Sequence, residues 1–142
     1  MTVNEVQDQV VEEFSLFDDW MDRYNYLIEL GRTLPVIDPR FKTNDYLIEG
    51  CQSKVWLYPS FDGKTISFTA DSDAIITKGI VALLIRVLSG RVPDEIINAD
   101  LYFIDKIGLK QNLSPTRSNG LLSMVKQIRL YAIAFKAKKE LS

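Results

Sequence analysis

Five adjacent residues, Gly50-Cys51-Gln52-Ser53-Lys54, hold the chain's most reactive set of groups. Cys51 is the only cysteine in 142 residues, and the chain contains no histidine. A glycine before the cysteine permits an unusual backbone and leaves one side of the thiol open to an approaching group. Ser53 and Lys54 place a hydroxyl and a cation nearby. A neighbouring cation lowers a thiol pKa and raises the thiolate fraction, and the thiolate is the reactive form. The plain alternative is a small buried hydrophobe, the usual fate of a lone cysteine. The segment lies between a long loop and a strand, where functional groups tend to collect.

The missing partners narrow the chemistry. Without histidine there is no Ser-His-Asp triad and no Cys-His dyad. Cysteine or cysteine–histidine zinc sites, single-chain Fe–S ligation and His-ligated haem are excluded with them. One thiol makes no internal disulfide, so nothing points to an oxidising compartment. Thioester hydrolysis through Cys51 would need an acid or base borrowed from a carboxylate, lysine or tyrosine. Thiol exchange needs none: a thiolate attacks a sulfur on another molecule and a thiolate departs. Accepting sulfur and passing it on is the chemistry most compatible with one unaided cysteine.

The elements that must position Cys51 are legible. Thr2 and Glu5 have capping-box spacing, and Val3, Val6, Val10, Phe14 and Phe17 follow at helical intervals. Asp18 or Asp19 caps a second helix with Met21, Tyr24, Leu27, Ile28 and Leu34 on its apolar side, ending near Gly31 and Pro35. Residues 35–49 read as a loop. Residues 54–61 and 64–70 read as a hairpin turning at Asp62-Gly63, with Trp56 in the core. Asp71-Ser72-Asp73 ends it and can cap a helix over 74–88, apolar almost all round and so buried. Short helices follow Pro93 and span about 101–107. Ser114-Pro115 starts a last helix to about Glu140, with a core stripe of Leu121, Val125, Ile128, Ala132 and Phe135. These elements predict one α+β domain over 1–142: a small antiparallel sheet of about three strands packed against several helices.

Hydrophobic residues make up 46% and charged residues 25%, as in ordinary globular proteins, with a formal net charge of −2. The first residues are acidic, unlike a secretory signal, and the apolar run 79–88 is too short to span a bilayer. The chain reads as cytoplasmic, with no membrane partner. Residues 1–49 carry a net of −7 and residues 110–142 a net of +6. The economical explanation is that oppositely charged end helices are neighbours. The alternative is a basic nucleic-acid patch, but Lys126, Arg129 and Lys136 form a stripe that Lys138 breaks, and the expectation is no nucleic-acid partner.

Four segments together resemble the SufE-type (SufE/CsdE family) sulfur acceptors of Fe–S cluster assembly: YLIELGRTLP at 26–35, IEGCQSKVWL at 48–57, DSDAIITKG at 71–79 and LSPTRSNGLL at 113–122. The resemblance covers nearly the whole chain and does not separate SufE from CsdE. It departs at Tyr46, where the family pattern has asparagine. It implies a SufE/NifU-like fold and an accessory sulfur-transfer protein rather than an enzyme. Cys51 would take sulfur from a pyridoxal-phosphate-dependent cysteine desulfurase (SufS-like), stimulate it, and deliver the sulfur to an Fe–S scaffold complex (SufBCD-like). The chain itself would need no cofactor and no metal. Whether it forms a homodimer stays open. The resemblance also implies a cysteine tip kept in an apolar hollow until docking moves the loop out.

Supporting roles follow by the same resemblance. Gly50, Gln52 and Ser53 would shape the loop or hydrogen-bond the sulfur. Arg117 would stabilise the thiolate or contact the partner; as an ordinary first-turn residue it would oppose the helix dipole. Asp73 would bear on the cysteine loop or partner surface, against the simpler role of a helix N-cap. Two other classes of function stay in view: a one-cysteine, peroxidase-like thiol enzyme, and a nucleic-acid-binding module using the basic C-terminal helix.

Overall fold

The computed structural model describes residues 1–141. The chain folds as α1 (Val3–Ser15), α2 (Trp20–Gly31), β1 (Val55–Phe61), β2 (Ile66–Ser72), α3 (Ile75–Leu88), α4 (Pro93–Asn98), α5 (Phe103–Lys106), α6 (Leu109–Asn112) and α7 (Pro115–Leu141). This is the α+β class expected. Two 3-10 turns, at Pro39–Phe41 and Asn44–Tyr46, lie within the long loop before the sheet.

Local chemistry sets most element starts. Thr2 and Glu5 exchange both bonds of a capping box, each 3.1 Å. Asp19 caps α2 by accepting from Met21 N at 2.9 Å. Ser114 Oγ accepts from Arg117 N at 3.3 Å and Pro115 opens α7, as the Ser-Pro pair predicts. α2 stops at Gly31, so Leu34 is buried beyond the helix rather than on it.

The sheet has two full strands where about three were expected. β1 and β2 pair antiparallel, with Val55 opposite Ser72 and Phe61 opposite Ile66. The Asp62 carboxylate fixes the turn by accepting from Lys64 N and Thr65 N at 2.8 and 2.7 Å. Beyond the two strands the pairing shrinks to single-residue bridges, Val36 to Ala70, Leu47 to Trp56 and Ile66 to Arg91. The 3-10 turns curl residues 39–46 and interrupt the extended backbone that a longer third strand would need.

α3 is the central element. Eleven of its fourteen residues are buried, which explains its lack of a polar face. Hydrophobic side chains from α1, α2, β1, β2 and α7 join it in one contiguous cluster. α2 packs against it most closely at Gly79, where an added Cβ would lie 2.1 Å from the Leu27 carbonyl oxygen. Only glycine allows that backbone-to-backbone contact.

The end helices are not each other's main neighbours. α1 packs on α3 and α5, and α7 packs on α4 and α3. Their charges find other partners: Glu13 of α1 pairs with Arg86 of α3, and Lys136 of α7 with Asp94 of α4 at 2.8 Å. Trp56, expected in the core, is half-buried, and the Lys42 ammonium sits 4.7 Å from its ring centre. Leu57 and Val55 take the buried positions on that strand instead. Among the described residues, no helix is long and apolar enough to cross a membrane.

Candidate functional site

The Cys51 loop is a short span between two anchors. On one side, Ile48 N donates to Val55 O at 2.9 Å, and Ile48 is buried. On the other, the backbone of Lys54 is held three ways. Its N–H donates to Asp73 Oδ1 at 3.0 Å, and its carbonyl accepts from Asp73 N at 3.2 Å and Ser72 Oγ at 2.8 Å. Residues 49–53 therefore leave and re-enter the fold at nearly one place, beside the start of the sheet.

Asp73 accordingly does not act as the N-cap of α3. That position falls to Ala74, which gives no side-chain cap. The sequence pattern suits a cap because an aspartate precedes the helix closely. The carboxylate is drawn instead to the Lys54 N–H across the end of the hairpin.

Gly50 adopts φ +89°, and a Cβ there would lie 2.4 Å from Ser123 Oγ on α7. Both backbone conformation and space thus require glycine before the cysteine. This brings Cys51 against α7, where its thiol donates to the Gly120 carbonyl oxygen at 3.5 Å. Gly120 and Ser123 escape sequence reading, since neither carries distinctive chemistry. The matching clue is the small-residue spacing on the helix side that meets the loop.

Cys51 is half-buried and lines a hollow of about 110 Å³ between α3 and α7. Ile80 and Met124 form its apolar floor, Thr77 its α3 wall, and Thr116 and Arg117 its α7 wall. Gln52 and Ser53 line it from the loop. Of the residues singled out from sequence, Cys51, Gln52, Ser53 and Arg117 meet at this hollow. Gly50 and Asp73 lie outside it, shaping and anchoring the loop.

Burial pushes the Cys51 thiol above its ordinary pKa. This corrects the expectation that Lys54 would lower it. The Lys54 side chain is exposed, so water screens it, while the thiol itself is desolvated. In this conformation Cys51 is held as a thiol, hydrogen-bonded and less nucleophilic than a free cysteine.

Tyr46, the departure from the family pattern, has a defined place. Its ring stacks on Tyr58 with centroids 5.1 Å apart, and Phe41 meets both rings edge-on. This cluster pins the loop that leads to Cys51 against β1.

The model of the family described as "SufE: Fe-S metabolism associated domain" matches residues 8–132. An uncharacterised SufE-like protein of Rhizobium etli is 46% identical over 127 residues, covering 86% of this chain and 86% of that protein. Another from Rhizobium meliloti is 39% identical, covering 86% and 91%. SufE-like protein 1, chloroplastic/mitochondrial, of Arabidopsis thaliana is 38% identical over 93% of this chain, which spans 36% of that longer protein. A solution structure of a hypothetical protein from Thermus thermophilus has the same fold, with TM-score 0.76 and 19% identity over 93% of this chain and 96% of that one.

Proposed function

The chain belongs to the SufE family of Fe–S metabolism-associated domains, and on that premise we propose that it is a single-domain sulfur acceptor whose carrier atom is Cys51 Sγ. The Cys51 thiolate attacks the terminal sulfur of a persulfide on a cysteine desulfurase. An Sγ–S bond forms, the donor's S–S bond breaks, and the electron pair leaves with the donor thiolate. No external oxidant or reductant is needed. The sulfur is then released to an Fe–S scaffold complex. Pyridoxal phosphate is the desulfurase's cofactor and has no part in this chain. The reading needs a reducing compartment, the cytoplasm in the simplest case, where Cys51 stays a thiol.

The observation that carries the proposal is the placement of the one thiol on a doubly anchored short loop above a small hollow. At ~30 Å³ per water-sized group, 110 Å³ accommodates one added sulfur. Burial opposes the thiolate that sulfur acceptance and a peroxidase-like reaction would both use, so in either case Cys51 reacts once the loop carries it out of the hollow. A nucleic-acid surface on α7 gains no support, since Lys136 is paired to Asp94 and Arg129 donates to the Ala99 carbonyl.

Desulfurase assays test the proposal. Cys51→Ser is expected to fold as wild type and to lose stimulation of the cognate enzyme. Full stimulation by that variant contradicts it.

A further inference from the structure

We propose that the hollow beside Cys51 holds the terminal sulfur of a Cys51 persulfide as an anion, with the Thr77 hydroxyl as its hydrogen-bond donor. The inference rests on the sulfur-acceptor reading and assigns that reading a further binding residue.

Thr77 is 7% exposed and lines the hollow. Buried hydroxyls are normally paired, commonly back to a carbonyl in the preceding helical turn. The Thr77 hydroxyl makes no hydrogen bond within the protein among the described residues, and its oxygen is open to water in the hollow rather than sealed off. It is a polar group on a helix otherwise buried through apolar side chains, placed where the cargo would sit.

Burial alone disfavours an anion here, so a stored anion depends on donors that line the hollow. Thr77 is the third residue of α3, whose N-terminus has no side-chain cap. Thr116 and Arg117 are the second and third residues of α7. The positive ends of two helices therefore reach one hollow. Arg117 is the one charged residue lining it among the described residues; it is exposed, so water screens its charge as it does that of Lys54.

The resting thiol and the loaded form need different partners. The thiol gives its proton to the Gly120 carbonyl. In a persulfide Sγ has no proton to give, so that bond is lost and the outer sulfur needs a donor. Thr77 supplies it. Stored as an anion, the outer sulfur repels attacking thiolates and keeps its S–S bond. Once the loop leaves the hollow, an acceptor thiolate attacks that sulfur. The new S–S bond forms on the acceptor, and Cys51 departs as thiolate with the electron pair.

The test loads the protein without any enzyme. Ellman's reagent converts Cys51 to the thionitrobenzoate mixed disulfide, and hydrosulfide displaces thionitrobenzoate to leave the persulfide. The pH midpoint for alkylation of the loaded protein by monobromobimane is followed by mass spectrometry. In Thr77→Val the persulfide midpoint is expected to rise by about one pH unit, roughly tenfold less anion at a fixed lower pH. Thr77→Ser should track wild type, and the unloaded thiol's midpoint should not move in Thr77→Val. Equal midpoints for Thr77→Val and wild type overturn the inference. So does an equal shift of thiol and persulfide, because the hydroxyl would then act on Sγ or on the fold. If Thr77→Val does not fold, Thr77→Ala against Thr77→Ser makes the same comparison. Loading by desulfurase with no Thr77 dependence removes this inference alone. A Thr77 dependence after chemical loading, with no loading by desulfurase, supports it while removing the acceptor reading.

Discussion

A Cβ placed on Gly50 would lie 2.4 Å from Ser123 Oγ, and Gly50 already sits at φ +89°. The loop thus reaches α7 only through a residue with no side chain. Gly50→Ala meets two obstacles: the left-handed conformation, about 1–2 kcal/mol for a residue with a Cβ, and the collision with Ser123. Relief requires the loop to lift off α7, taking Cys51 from the Gly120 carbonyl. The expected result is a modest loss in thermal stability with a large rise in Cys51 alkylation rate. Pairing with Ser123→Gly should restore only part of the packing, because the backbone cost remains.

Burial of the Cys51 thiol sets the pH dependence of its reactivity. Its acid midpoint lies above that of a free cysteine, ~8.5. Iodoacetamide should therefore modify the free protein more slowly than a model thiol at neutral pH, the rate climbing only at alkaline pH. A midpoint at or below that of free cysteine would contradict the closed conformation.

Acid sensitivity is expected from the contact between α1 and α3. Glu13 accepts from Arg86 through both carboxylate oxygens and from Tyr26 OH at 2.5 Å. The hydrogen bond from Arg86 is the largest influence; it holds the Glu13 carboxyl below its ordinary range, outweighing the opposing effect of burial. Tyr26 is pushed up to about 12, chiefly by burial and then by the bond to Glu13. A lowered folded-state pKa gives stability that is present above the unfolded value, ~4.3, and lost as pH falls through the folded one. Glu13→Gln should lower stability at pH 7 by about 1–2 kcal/mol. It should also flatten the acid limb of the stability–pH curve in chemical denaturation.

How far the sequence discloses the site depends on the range of each interaction. Thr2–Glu5, Asp62 and Ser114-Pro115 act within three residues, and each is legible as a cap or turn. Cys51 and Arg117 stand out by type and motif, though only the fold brings them to one hollow. Asp73 reads as a cap because its real partner, Lys54 N, is distant in the chain and arrives through hairpin pairing. The effect of Lys54 on the thiol is misread for a related reason. Sequence shows a cation nearby but not that it faces water while the thiol is desolvated. α6 goes unseen because the short helix read over about 101–107 stops before Gly108, and the four residues that restart after its left-handed turn at φ +89° are too few to show a helical period. Thr77 leaves only a faint trace, as a hydroxyl in an almost wholly apolar helix.

The most direct measurement of the central claim is mass spectrometry of the purified protein after incubation with the cognate desulfurase and free cysteine, without reductant. Sulfur acceptance predicts one added sulfur, located on the peptide containing Cys51 and absent when desulfurase is omitted. No added sulfur beside a demonstrably active desulfurase would contradict it.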